Sequence, residues 1–302
     1  MLSPGPVTFK ANQPSRSLPA LSGHGLLAVE GPDAQAFLQA QLMNDVGALA
    51  PGRWQWTGWL TAKGRVVALM ALLRTAPDRF LAVLPDFPAS DLQERLQRYV
   101  FRSKVRLAPL PDWTCAAELD AADHGAALRD HAGGDDVTGW RLDMSGERAQ
   151  RALWLLPPGS TLAAAADDDE VSLAWKAFDL AHGLPRLPAA GAESWTPQML
   201  SLERLHAFSL SKGCYPGQEI VARTHYLGTA KRGLARVSGA GLQHGQLLLD
   251  ADGADIGQVA CARDDGREAL AVATLARLAP PLSVAGAAVQ LLPLAAGLAR
   301  PM

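Results

Sequence analysis

The sequence predicts an α+β protein that closes with a small β-barrel. Three observations carry this expectation. Strand-like apolar runs and helix-like stripes alternate up to about residue 228. The helical stretches each show one apolar stripe at the 3.6-residue period. After Gly228 only short apolar runs remain, separated by Gly and Asp turns.

Residues up to about Ser22 read as a loose polar arm rich in Pro and Ser. "LLAVEG" follows as a short strand. Asp33 is placed to cap "AQAFLQAQLM", where Phe37, Leu38, Gln41 and Leu42 follow helical spacing. A new block opens near Pro51. "RWQWTGWL" alternates Trp54, Trp56 and Leu60; "TAKGR" turns; "VVALMALLR" continues as a buried strand and "RFLAVLP" as a third. Ser90 or Asp91 is placed to cap "LQERLQRYV", with Leu92, Leu96, Tyr99 and Val100 as its apolar stripe, and "KVRLAPL" closes the block as a strand. "WTCAAEL", "GWRLDM" and "ALWLLP" read as strands, and "GAALRDH" as a short helix.

The acidic run "DDDE" at 167–170 suits the positive end of a helix dipole. It leads into "VSLAWKAFDLAHGLP". Leu173, Ala174, Ala177, Phe178 and Ala181 read as the buried face, and Trp175, Asp179 and His182 share a second face beside it. Gly183 and Pro185 end the helix. "TPQMLSLERL" is predicted as another helix, with Thr196 as cap and Pro197 at the first position.

Composition sets limits on function. Apolar residues make up 48% of the chain and charged residues 19%, with a formal net charge of −2. That balance argues against a strongly basic nucleic-acid binder. Cys115, Cys214 and Cys261 stand far apart, which excludes a disulfide framework and a Cys/His zinc site. The N-terminus shows no apolar signal core and no run of 18 apolar residues occurs, so a cytoplasmic protein without membrane contact is expected.

The chemistry-bearing stretch is "KGCYPGQEIVAR". Pro216 is expected at the first position of a helix, and Gly217 permits close backbone approach. Glu219 and Arg223 stand in the favourable order for an i,i+4 ion pair. Two readings of Cys214 follow. With Lys212 nearby and a helix opening after it, the cysteine suits a thiolate with a pKa below the free value of about 8.5. It suits equally a small apolar residue buried in a tight connection. His206 and His225 flank it in sequence, but no catalytic triad is legible.

These residues resemble the YgfZ folate-binding family, relatives of the aminomethyltransferase (T-protein) of the glycine cleavage system. "GPDAQAFLQAQLMNDV", "AKGRV", "YVFRSKV" and "TPQMLSLERLHAFSLSKGCYPGQE" extend the resemblance along most of the chain. The resemblance implies three domains around a central opening. One is a discontinuous folate-binding domain of residues 1–50 and 135–228. The second is a ferredoxin-like domain over 51–134, and the third a β-barrel over 229–302. It implies a bound tetrahydrofolate or folate derivative and a role in maturation or repair of iron–sulfur enzymes, among them enzymes of tRNA modification. A monomer is expected.

The same resemblance assigns candidate residues. Cys214 is the functional thiol, with Lys212 beside it and Tyr215, Gly217, Gln218 and Glu219 shaping the pocket. Trp175, Asp179, His182 and His24 are the expected pterin contacts, and Arg223, Lys231 and Arg232 the expected partners of an anionic folate tail. Trp175 also suits a plain core position, and Lys231 and Arg232 a solvated surface cluster. Two departures from a true T-protein stand out. No carboxylate occurs at Val66, Val67 or Ala68, and Ala181 stands where a T-protein carries a pterin-binding glutamate. The expected function is therefore folate-dependent support of iron–sulfur proteins. A folate-dependent one-carbon transferase and a ligand-free protein-interaction scaffold are the alternatives.

Overall fold

A computed structural model describes residues 18–119, 129–162, 164–228 and 230–300. In chain order its elements begin with β1 (Leu18–Ala20), β2 (His24–Glu30), α1 (Ala34–Gln41), β3 (Arg53–Leu60), β4 (Val66–Ala76) and β5 (Arg79–Pro85). Next come α2 (Ala89–Gln97), β6 (Arg106–Pro109), β7 (Thr114–Leu119), β8 (Ala132–Asp135), β9 (Gly139–Asp143), β10 (Arg151–Leu156), β11 (Ala164–Asp167) and α3 (Asp169–Ala181). The last are α4 (Gln218–Tyr226), β12 (Arg232–Ser238), β13 (Leu247–Leu249), β14 (Asp255–Ala262), β15 (Glu268–Thr274), β16 (Leu282–Val284) and β17 (Ala287–Leu292). None of the described helices is long and apolar enough to cross a membrane.

These strands make two sheets and a closed barrel. The first sheet runs β3-β4-β5-β2-β6, every neighbour antiparallel. With β3 set aside at the edge, its order and its two helices follow the ferredoxin-like pattern. The second runs β11-β1-β7-β10-β9-β8. The third closes as β12-β15-β14-β13-β16-β17 around a small core of Val237, Leu248, Val259 and Ala271.

The continuous apolar run of β4 has a direct cause: both faces of the first sheet are covered. On one face Met70, Leu72, Phe80 and Ala82 pack on Phe37 and Leu38 of α1 and Leu92 and Leu96 of α2. On the other, Trp54, Trp56, Leu69 and Ala71 meet the second sheet through Cys115, Leu142, Leu153 and Leu155. Trp59 has the opposite parity to Trp54 and Trp56, so it lies in the helix-covered core.

Several sequence expectations need correction. Leu18–Ala20 is a strand, parallel to β11, rather than part of the polar arm; residues 1–17 lie outside the described residues. So do residues 125–128 of the expected "GAALRDH" helix, and His131 instead forms a β-bridge with Arg53. Asp33 does not cap α1 with its side chain; its carboxylate accepts the Lys104 N–H at 2.7 Å. Pro88, with no side-chain cap, precedes α2.

The "TPQMLSLERL" segment forms turns and a 3₁₀ stretch at Leu202–Leu205. Ser201 takes a left-handed conformation, φ 48°, and its hydroxyl accepts the Leu234 N–H at 3.1 Å, which interrupts any α-helix there.

Sheet membership also departs from the expected segments. β2 and α1, expected with residues 135–228, join the first sheet because β2 pairs with β5 and β6. β7, expected within 51–134, pairs with β10. An apolar run shows that a strand is buried, not which strand it pairs with.

Candidate functional site

α3 is capped as its acidic start requires: the Asp168 carboxylate accepts the N–H groups of Glu170 and Val171 at 2.9 and 3.1 Å. Its buried face, however, is Ser172, Trp175, Asp179, Leu180 and Ala181. The Trp175/Asp179/His182 stripe faces inward, and Leu173, Ala174 and Ala177 do not. A charged residue on the inner face needs a partner, and two arginines provide it.

Arg151 of β10 pairs with one Asp179 oxygen, and Arg186 with the other at 2.9 Å. Arg186 also holds Asp86 in a two-point pair at 2.8 and 2.9 Å. Arg151 further donates to the Trp175 carbonyl at 3.0 Å and the Met144 carbonyl at 3.2 Å. Its guanidinium lies between the rings of Trp175 and Phe178, 3.9 and 3.8 Å from their centroids. Burial pushes the Asp86 carboxyl up, but the Arg186 pair outweighs it and holds it below the usual range.

His24 sits at the edge of this cluster. Its Nδ1 lies 3.0 Å from the Ser22 carbonyl and its Nε2 3.3 Å from the Arg186 guanidinium. Arg186 can only donate, so Nε2 accepts and the ring is neutral with its proton on Nδ1. Burial first, and then the Arg186 charge, push its pKa down to about 3. The unfolded chain therefore binds a proton that the folded chain refuses between about pH 6.5 and 3. Stability should be lost as pH falls below about 6.5. His24→Gln should flatten the slope there by up to about 1.4 kcal/mol per pH unit in denaturation curves; parallel pH profiles for the two proteins would contradict this.

His182 stacks on Phe178 with centroids 3.9 Å apart, and its Nδ1 lies 2.9 Å from the Phe178 carbonyl. Its Nε2 is buried against Gly146 without a hydrogen-bond partner among the described residues.

A chamber of about 730 Å³ opens where the first sheet, the α3 region and the barrel meet. Its wall takes His24 and Asp86 from the sheet, Lys176 and Arg186 from and after α3, and His244 and Arg263 from the barrel. Trp175 and Asp179 line a cleft behind it with room for only about 10 Å³. The chamber fits a folate in size. Trp175, by contrast, has Arg151 on its ring, and both Asp179 oxygens are paired, so neither presents a free surface to a pterin.

Arg223, Lys231 and Arg232 do not line the chamber; Lys176, Arg186 and Arg263 do. Lys176 pairs with Asp264 at 2.7 Å, and that aspartate is 60% exposed. The aspartate side of this pair is open to solvent, so an incoming carboxylate can replace Asp264 on the half-buried lysine. Arg151 and Arg186 were not legible as site residues in sequence. Arg151 opens a strand, and Arg186 follows Pro185 in a loop, so no periodicity ties either to α3.

The "KGCYPGQE" motif lies apart from that chamber. Lys212 is buried, and its ammonium donates to the carbonyls of Gln39, Leu42 and Asn44 at 2.5, 2.6 and 3.0 Å. These belong to the end of α1 and the residues after it, where carbonyls lack helical partners and the dipole is negative. Burial pushes the ammonium down to about 8, and Asp45 pulls the other way. Lys212 is thus committed to α1 rather than free to serve the thiol.

Tyr215 is buried, donates to the Ser209 carbonyl at 3.3 Å, and has the Lys212 ammonium 5.0 Å from its ring centre. Gln218 donates to the Lys212 carbonyl at 3.2 Å. Gly217 has φ 77°, and a Cβ there would lie 2.5 Å from the Thr61 carbonyl and 2.6 Å from the Gly64 Cα. The motif therefore docks glycine to glycine on the "TAKGR" turn, which explains why both stretches occur in one chain.

α4 begins at Gln218 with Gly217 as its cap residue, so Pro216 precedes the helix. Cys214 stands further ahead of that helix than the sequence suggested. Among the described residues no ion pair joins Glu219 to Arg223; both are exposed. Between its two anchored flanks Cys214 is exposed, whereas Cys115 and Cys261 are buried.

Comparison with known proteins gives a consistent set of likenesses. The family model described as the GCVT N-terminal domain matches residues 15–136. A tRNA-modifying protein YgfZ from Vibrio vulnificus is 30% identical over 244 residues, 75% of this chain and 71% of the relative. One from Klebsiella pneumoniae is 29% identical over 259 residues, 76% of each chain. A solved structure of glycine cleavage system aminomethyltransferase T from Bartonella henselae covers 92% of this chain and 86% of its own. Its TM-score is 0.66 at 17% identity, a likeness of fold.

Proposed function

The chain belongs to the YgfZ family, and from that membership we propose that it binds a folate and supports maturation or repair of iron–sulfur proteins, and through them tRNA modification, with Cys214 as its functional thiol. The observation that carries this reading is the build of the motif around Cys214. Lys212, Tyr215, Gly217 and Gln218 are each engaged in holding the loop. The cysteine is left exposed between these anchored residues. A buried filler would need no such frame.

The folate belongs in the chamber between the three units. The neutral imidazole of His24 lines it, and Lys176 would hold the anionic tail after exchanging Asp264. When bound, the folate would supply one-carbon or redox chemistry of its pterin ring; the chain would bind and orient it. Calorimetric titration with tetrahydrofolate tests this. Lys176→Glu should weaken binding several-fold, on the order of 0.5–1 kcal/mol. Absence of binding to the wild-type protein would overturn the folate reading while leaving the Cys214 reading to its own test.

Aminomethyl transfer to tetrahydrofolate is not expected. Val66, Val67 and Ala68 of β4 are buried and apolar, and the resemblance sets them against the stretch in which a T-protein carries its carboxylate. A positioned acid or base is commonly worth about 10²–10⁴ in rate. A reconstituted glycine cleavage assay should give no methylene-tetrahydrofolate with this protein as the T component; robust product would refute the expectation.

A further inference from the structure

α2 ends at Gln97 and β6 begins at Arg106, so the basic segment between them is an exposed connection rather than a helix face or a strand. Phe101 at its tip is 85% exposed and Tyr99 44% exposed. Arg102, Lys104 and Arg106 are exposed beside them and make no ion pair among the described residues. No acid occurs from Arg95 to Arg106. In a chain of net charge −2 this is a local excess of positive charge.

A cavity of about 620 Å³ adjoins the segment; Trp59 and Tyr99 line it, with Arg95 and Arg98 and the acids Asp91, Glu94 and Glu193. Trp59 and Tyr99 meet edge to face there, with centroids 5.9 Å apart. Arg95 and Arg98 are balanced by Glu193 and Glu94, so the unpaired charge comes from the connection itself.

We propose that this surface binds single-stranded RNA directly. Exposed rings accept stacked bases of any identity, and cations between them track the phosphates. Phe101 offers an open ring face to one base. The cavity beside Tyr99 has room for a neighbouring base, and Arg102, Lys104 and Arg106 face the backbone charge. A duplex, with its bases stacked inside, cannot use the rings and would keep only the phosphate contacts. The inference stands apart from the folate chamber and from Cys214. It names direct RNA contact where the function proposed above needs only an indirect link.

The test is fluorescence anisotropy with a labelled single-stranded RNA of about 12 nucleotides and with the duplex of the same sequence, without folate. The single strand should bind more tightly than the duplex. Phe101→Ala should weaken single-strand binding by about tenfold and leave its salt dependence unchanged. Arg102→Ala with Lys104→Ala should reduce the slope of log affinity against log salt by about 1.4. Lys231→Ala, distant in sequence and also basic, should leave binding unchanged, and thermal melts should show all variants folded. The proposal fails if the single strand does not bind, if duplex and single strand bind alike, or if Phe101→Ala binds as the wild type does. Running the titration again with Cys214→Ala separates the RNA surface from the thiol: equal affinity is expected, and a loss of binding would place the RNA contact elsewhere.

Discussion

Asp179→Ala is expected to lower the free energy of unfolding by about 3–5 kcal/mol. Asp179 is 1% exposed and neutralises Arg151 and Arg186, which are also buried. Arg186 retains Asp86 after the substitution. Arg151 retains only two carbonyls and two aromatic faces, and thus becomes a buried charge without a counter-charge. The cost comes from that stranded cation more than from the lost attraction. Asp179→Leu combined with Arg151→Met should therefore be less destabilised than Asp179→Ala alone, because both charges leave together. Urea denaturation followed by circular dichroism reads both. A loss below about 1 kcal/mol for Asp179→Ala would contradict the network's role.

That network marks the limit of what the sequence made legible. The α+β class, the C-terminal barrel and α3 with its acidic start followed from local patterns, because helix-end preferences and periodicity act over a few residues. The pairing of Trp175 with Asp179 and His182 on one helix face was also legible. Which face turned inward was not. Leu173 and Ala177 are more apolar than Asp179, and only the arrival of Arg151 and Arg186 from outside the helix makes burial of the aspartate favourable. In the same way the motif's Lys212 read as a partner of Cys214 two residues away. In the fold its ammonium reaches the end of α1, which lies some 170 residues earlier in sequence. Hydrogen bonds across such separations leave no periodic trace.

The three cysteines should differ widely in reactivity. Cys214 is exposed on an anchored loop. Cys115 and Cys261 are each 4% exposed within the main core, and burial pushes both thiols up to about 12. Alkylation needs an accessible thiolate, so the buried pair must wait for the core to open. For a fold of ordinary stability, about 5 kcal/mol or more, opening slows their labelling by about 10³-fold or more relative to Cys214. Mass spectrometry after iodoacetamide treatment should show a single rapid adduct at Cys214 in the native protein and three in urea. Comparable rates at Cys115 and Cys214 in the native protein would show that the motif does not present its thiol.

The central claim is that the "KGCYPGQE" loop exists to hold Cys214 out for chemistry. The most direct measurement is complementation of a strain lacking the protein, scored by an iron–sulfur-dependent tRNA modification, with wild type and Cys214→Ala expressed to equal levels. Because the flanks of the loop are anchored by Lys212, Tyr215 and Gly217, the variant should melt as the wild type does. The prediction is a stably folded Cys214→Ala protein that fails to restore the modification. Full restoration by that variant would contradict the claim and leave the cysteine a surface residue of the turn.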